Sequence, residues 1–247
     1  MKFVVYRVFI YKNCFGVFRV ALLDKIGHVL TADITKDFKL KKKTIEQEVE
    51  ASFVDQLKKR RSIYELGKKV HYSQAYLVEL IQESVRSCPS AYNSQSTRIV
   101  VLFGESHQKF WDIVKDVQRK NVASYIFEGV ALKIDQCAAG LGTVLFYEDQ
   151  AVIQQLQKKV PLSAEDFPVW SEQTSGMAQF AVWTSIADAG LGACLQHYNP
   201  HIDYAVAEHF NISKQWLLRA QLVFGSIEGQ APERLELEDQ DQFRIYE

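Results

Sequence analysis

Arg60, Arg61 and Ser62 stand in a row. Two guanidinium forks and a hydroxyl can hold a phosphate monoester through charge-assisted hydrogen bonds. The same trio also suits a helix C-terminus, where cations meet the negative end of the macrodipole. A second stretch, Cys88-Pro-Ser-Ala-Tyr-Asn-Ser-Gln-Ser-Thr-Arg98, is rich in turn formers and amides. Pro89, Ser90 and Ser94 favour a turn. Asn93 and Gln95 each offer a donor and an acceptor. That pairing matches a ring edge where carbonyl and N–H alternate, as on the pyrimidine of a flavin, although an idle polar loop has the same composition. A third stretch, Gly190-Leu-Gly-Ala-Cys-Leu-Gln-His-Tyr-Asn199, places Leu191 and Gly192 where backbone could approach a planar ligand. Gly190 also reads as an ordinary helix C-cap. The spacing is not the Gly-x-Gly-x-x-Gly of a dinucleotide fold.

Other constellations carry less. His197 and His201 are four apart, but Pro200 lies between them and no cysteine or carboxylate completes a shell, so no metal is expected. Cys194 beside His197 has nothing that sets up an activated pair. Glu128 with Asp135, and Glu165 with Asp166, read as solvated carboxylates rather than acid–base pairs. No protein side chain is therefore assigned a catalytic role.

The elements that must position these stretches are legible in part. Ile45, Val49, Phe53 and Leu57 recur at four-residue steps, predicting a helix over residues 44–61. Ser73 is placed to cap a second helix that Pro89 follows. Residues 98–103 read as a short strand ended by Gly104. Helical patterns follow at about 106–120 and 125–139. A strand is expected over 143–147, a helix over 149–158, and strands over 216–224 and 243–246. Residues 172–191 are apolar almost all round, which predicts a helix inside the domain or at a subunit interface. Helices and strands mix without a strict βαβ repeat, so the fold class is α+β.

The 247-residue chain is 47% hydrophobic with a formal net charge of −1, so nothing global points to nucleic acid or an acidic membrane surface. Four scattered cysteines lack any C-x-x-C pair, which favours reduced thiols in the cytoplasm. No apolar run reaches the roughly twenty residues of a membrane span. Residues 3–23 are strand-like, and residues 1–23 carry four cations, Lys2, Arg7, Lys12 and Arg19, without an acid. Arg7 and Lys12 interrupt what would be a signal peptide's apolar core. The basic run at 36–43 reads as a solvated linker. These features place a boundary near residue 44, with residues 1–43 as an N-terminal extension or the product of a start codon set too far upstream.

Taken together, the three stretches resemble the nitroreductase family. The order is Arg-Arg-Ser, then Pro-Ser-x-x-Asn-Ser-Gln, then a late Gly-Leu-Gly. The run Phe167-Pro-Val-Trp-Ser-Glu-Gln-Thr-Ser-Gly-Met-Ala-Gln-Phe-Ala-Val-Trp183, followed by Gln196-His-Tyr-Asn-Pro200, resembles the subgroup of fungal fatty-acid-repression mutant proteins and bacterial copper-induced nitroreductases. The resemblance covers about residues 50–247. It implies a central, mostly antiparallel sheet flanked by helices and an intertwined homodimer. It also implies FMN as cofactor, NADH or NADPH as reductant, and a nitroaromatic, quinone or similar small acceptor. Arg60, Arg61 and Ser62 would then face the ribityl phosphate, with Arg244 completing that site. Pro89, Ser90, Asn93 and Gln95 would lie by the isoalloxazine, some from the partner subunit. Leu191 and Gly192 would supply the loop beside the flavin. Tyr64 stands where a lysine often follows the Arg-Ser motif. The competing expectation is a flavin-binding regulatory or stress-response module with little turnover.

Overall fold

A computed structural model describes residues 52–236 and 238–247. The readings made for residues 1–43, and the boundary at residue 44, lie outside the described residues.

The first described helix, α1 (Phe53–Lys59), starts later than its apolar spacing suggests. Ser52 has non-helical backbone angles and closes a capping box: its hydroxyl accepts from Asp55 N, and its own N–H donates to the Asp55 carboxylate. Those bonds satisfy two of the N–H groups a helix start leaves open; the part of the expected helix over residues 44–51 lies outside the described residues. Helix α2 (Gln74–Arg86) keeps the expected cap, with Tyr76 N donating to Ser73 Oγ at 3.2 Å.

Five strands form the sheet: β1 (Leu66–Gly67), β2 (Thr97–Phe103), β3 (Gly142–Asp149), β4 (Gly192–Gln196) and β5 (Trp216–Ile227). Every pairing between them is antiparallel. The order runs β1-β5-β3-β2, and β4 also pairs with β5. Helices α3 (Gly104–Asn121) and α4 (Ser124–Ala138) come between β2 and β3, and α5 (Gln150–Lys159) and α6 (Phe167–Asp188) follow β3. One apolar cluster joins Phe110, Trp111 and Ile134 of α3 and α4 to Leu145 and Tyr147 of β3. The other joins Leu77 and Ile81 of α2 and Val182 and Ile186 of α6 to Val144 and Phe146 of the same strand. Successive β3 side chains thus serve opposite layers, the period-two geometry of a strand covered on both faces. A bulge skips Arg219 in the β3–β5 register, and Arg219 reaches Glu172 of α6 instead at 2.8 Å.

The structure adds elements that local pattern did not suggest. Residues 192–196, to which the pattern assigned no element, are strand β4, and α7 (Asp203–His209) follows a cis Asn199–Pro200 peptide. The expected strand over 243–246 is absent; those residues are exposed, beyond a four-residue helix α8 (Asp239–Gln242).

Helix α6 departs most from a simple amphipathic reading. Its buried face is built from Phe167, Ser171, Thr174, Ser175, Ala178, Val182 and Ile186, many of them small or hydroxylic. Small side chains let the helix lie close on the sheet. Its larger apolar side chains Val169, Met177 and Phe180 stand 56%, 41% and 43% exposed. An apolar outward face of this kind is what a subunit contact would cover. No described helix is long and apolar enough to cross a membrane.

Candidate functional site

The chain leaves α1 at Arg60 in an extended conformation and runs beside β4. Ser62 bridges Ala193 in parallel, and Ile63 N donates to Ala193 O at 3.0 Å. That contact sets the segment that follows Arg60 and Arg61 alongside Gly192 and Ala193. The Arg60 guanidinium lies over the Trp183 ring of α6, 4.5 Å from its centroid. Arg61 donates to Pro232 O. Burial pulls the Arg60 pKa down, and repulsion from Arg234 and then Arg61 adds to it. Arg60 Nε and Trp183 Nε1 are both buried without a hydrogen-bond partner among the described residues. Neither Arg60 nor Arg61 makes an ion pair among those residues. Arg234 has Glu236 at 3.9 Å, but Arg60 and Arg61, with an idle donor and no paired carboxylate among the described residues, form a setting that favours an anion. A phosphate fits this donor set.

Arg234 and Trp183 were not foreseen. Arg234 is the only cation between Arg219 and Arg244, which was the available signal, but it sits in an acidic run that masks it. Arg244 lies elsewhere in this respect: it is exposed and donates to the carbonyls of Gln240 and Phe243 in its own tail.

The two glycines have separate structural duties. Gly190 has φ of +75° and closes α6 in a Schellman motif, with Gly190 N bonded to Ala187 O and Leu191 N to Ile186 O. A Cβ on Gly192 would come within 2.8 Å of the Leu66 side chain, so packing against β1 explains its small size. Ligand approach is not needed to account for either.

Pro89, Ser90, Asn93 and Gln95 lie in the turn before β2. A short 3₁₀ segment, Ala91–Asn93, is followed by tight bends, and Tyr92, Asn93 and Gln95 have φ of 55°, 51° and 47°. Three non-glycine residues in the left-handed region within four positions is an unusual concentration of strain, the kind that clusters at ligand clamps. Internal bonds hold it. Ser90 Oγ accepts from Gln95 N at 3.0 Å, Ser90 O accepts from Asn93 N at 2.9 Å, and Gln95 Nε2 donates to Asn93 Oδ1 at 3.1 Å. Both amides remain exposed at the surface. Beside them Tyr92 packs on Phe167 and Trp170 of α6 at 5.4 and 5.9 Å. An open groove of about 260 Å³, lined by Ala91, Tyr92, Trp170, Gln173, Thr174 and Met177, continues from there along α6.

The sheet register separates these two sets within one chain. Ala193, beside Ser62, pairs with Phe224 of β5, whereas Thr97, just past the loop, pairs with Glu148, which pairs with Leu217. The seven steps from residue 217 to residue 224 span roughly 23 Å at the strand rise. One chain thus offers a cationic end and an amide end on opposite ends of its sheet. No group of three or more histidine, cysteine, aspartate or glutamate side chains among the described residues is placed to hold a metal.

This is an α+β protein with an antiparallel sheet between helical layers, a cation-rich end and an internally bonded polar loop. The model of the nitroreductase family matches residues 57–226. HBN1 of Saccharomyces cerevisiae is 33% identical over 183 residues, covering 71% of this chain and 88% of HBN1. The nitroreductase FRM2 of the same yeast is 30% identical, over 70% of this chain and 87% of FRM2. Among solved structures, nitroreductase CinD from Lactococcus lactis in complex with chloramphenicol superposes with a TM-score of 0.73 at 45% identity, covering 79% of this chain and all of CinD. The same protein with 4-nitrophenol gives the same values. The chain belongs to the nitroreductase family.

Proposed function

We propose that this protein is an FMN-dependent oxidoreductase that works as a homodimer. It takes reducing equivalents from NADH or NADPH and passes them to a nitroaromatic, quinone or similar acceptor. The observation that carries this reading is the separation of the two residue sets. A cationic end and an amide end some 23 Å apart along one sheet cannot grip one small ligand. A two-fold partner that brings its own amide end to this chain's cationic end would complete two equal sites. The exposed apolar face of α6 supports that arrangement, because such a face wants a large hydrophobic contact.

In this reading Arg60, Arg61 and Ser62 hold the ribityl phosphate, with Arg234 or Arg244 as the further cation. Pro89, Ser90, Asn93 and Gln95 of the partner loop fix the ring edge, and Leu191 and Gly192 line the near wall. FMN, when bound, supplies the electron-transfer chemistry. The chain binds, orients and keeps water away, and no side chain is assigned as acid or base. The complexes of CinD with chloramphenicol, nicotinic acid and 4-nitrophenol support aromatic small molecules as the acceptor class. Free thiols at Cys88, Cys137 and Cys194 fit a cytoplasmic setting. Residues 1–43 are an extension that flavin binding does not require, so a chain beginning at Thr44 would bind FMN normally.

The test combines absorbance with turnover. The purified protein should carry, or take up, FMN and should oxidise NADH or NADPH faster when a nitroaromatic is added. FMN uptake without acceptor-dependent turnover would favour the flavin-binding regulatory module instead. No uptake at all would overturn the reading.

A further inference from the structure

Glu148 is a carboxylate without solvent contact at the end of β3. Its oxygens accept three hydroxyls: Ser96 at 2.5 Å and Ser171 at 2.8 Å on Oε2, and Thr97 at 2.6 Å on Oε1. Ser96 and Ser171 are themselves buried. No ion pair involving Glu148 occurs among the described residues; the nearby Arg98 pairs with Asp149 at 3.0 Å. Desolvation pushes the Glu148 pKa up, against the pull of the Ser96, Thr97 and Ser171 hydroxyls. Burying a carboxyl this way is costly unless its lone pairs are filled, and here hydroxyls fill them.

The three donors come from two places that matter. Ser96 and Thr97 directly follow the strained turn that carries Asn93 and Gln95, and Ser171 lies on α6 beside Trp170, against which Tyr92 stacks. Ser96 O also accepts from Asp149 N at 2.9 Å, and Arg98 Nη1 donates to Gln95 O at 2.7 Å. The backbone of the turn sits in left-handed angles that relax unless its ends are fixed. A carboxylate accepts without donating, so it can orient several hydroxyls at once.

We propose that Glu148 is a positioning residue that acts through Asn93 and Gln95: it clamps the foot of their turn to β3 and α6, and so sets the two amides at the angle from which they meet the flavin ring. This inference rests on the flavin reading above. It assigns Glu148 no contact with the ring.

The test measures binding of FMN and riboflavin in parallel by quenching of flavin fluorescence. Glu148→Ala should weaken both ligands by the same factor, about tenfold, the scale of one misplaced hydrogen bond. In a chain that already carries Asn93→Ala and Gln95→Ala, the same substitution should cause no further loss, because the groups it positions are gone. Glu148→Gln keeps the shape and one acceptor oxygen, and should restore part of the affinity. Losses that add fully in the triple variant, or that fall on FMN alone, would overturn the inference. If Glu148→Ala does not fold, Ser96→Ala and Thr97→Val remove the clamp one hydroxyl at a time, and unchanged affinity in both would overturn it equally. A wild-type protein that binds neither flavin overturns the functional reading itself. A wild-type protein that binds both, with variants that bind as well, overturns only the role of Glu148.

Discussion

At the β4 end of the sheet, Arg60, Arg61 and Arg234 gather, and Arg60 Nε and Trp183 Nε1 are buried with no hydrogen-bond partner among the described residues. At the β2 end, the turn bearing Asn93 and Gln95 is tied at almost every step, from Ser90 through Arg98 to Glu148. The first end leaves Arg60 and Arg61 without an ion pair among the described residues, although Arg234 has Glu236 at 3.9 Å, so an anion that arrives there would relieve repulsion and desolvation together. The second has already met its own polar needs and holds a strained backbone in place before any ligand comes. Affinity should therefore come mainly from the cationic end and orientation mainly from the amide end. Preorganisation of the second kind lowers the ordering cost of binding rather than adding contacts.

The harshest way to break this division is to separate the two ends. Phe180 lies on the exposed apolar face of α6. Phe180→Glu would place two like charges near the middle of the proposed two-fold contact, at a cost of roughly 3–5 kcal/mol. Sedimentation should show a folded monomer, and FMN should be lost with the dimer. A monomer of the wild-type protein that still holds FMN at micromolar concentration would sink the shared-site idea.

Next in size is the cationic end alone. Arg60→Ala should cost FMN about 1.5–3 kcal/mol of binding, the worth of a charge-assisted hydrogen bond, and should leave riboflavin nearly untouched. Calorimetry on both ligands decides it, since equal losses would make Arg60 structural. The same titration on Arg234→Ala and Arg244→Ala identifies the further cation. The position of Arg234 beside Arg60 favours a loss there and little change at Arg244.

At the amide end, Asn93→Ala should cost about 1 kcal/mol for FMN and for riboflavin alike. A loss confined to FMN would show that the loop answers the phosphate and would collapse the contrast between the ends.

The smallest effect is expected outside both ends. Burial raises the Asp203 carboxyl from 3.8 to about 6, against the pull of Arg219 and His201. A folded-state value above the unfolded one means that the native state holds this proton more tightly. Its contribution is thus present in acid and is lost as pH rises through about 6. Asp203→Asn should leave Tm unchanged near pH 4 and raise it modestly at about pH 7. A fall at neutral pH would show that the charge is needed.

Local signals were legible where one short segment suffices. The Ser73 cap, the Asp149 start of α5 and the Gly190 end of α6 all follow from side-chain oxygens or left-handed backbone acting within a few residues. The apolar rhythm at Phe53 and Leu57 does fall on a helix, whose start is fixed by the capping box at Ser52, while Ile45 and Val49 lie outside the described residues. Strand β4 was hidden because Gly192-Ala-Cys-Leu-Gln has no alternation of its own; pairing with β5 makes it a strand. Glu148 looked like any carboxylate, since its burial depends on Ser96, Thr97 and Ser171 arriving from other elements.

The amino-acid sequence by itself determined the α+β class, the family and the side-chain chemistry of the two candidate stretches, because side-chain type and short spacing belong to the chain before it folds. Only the tertiary structure decided that Arg60 meets Arg234 and Trp183, that Arg244 stays with its own tail, and that Asn93 and Gln95 lie at the far end of the sheet from Ser62. The last of these follows from the register of β2, β3 and β4 across the sheet, and register is set by contacts between residues far apart in the chain.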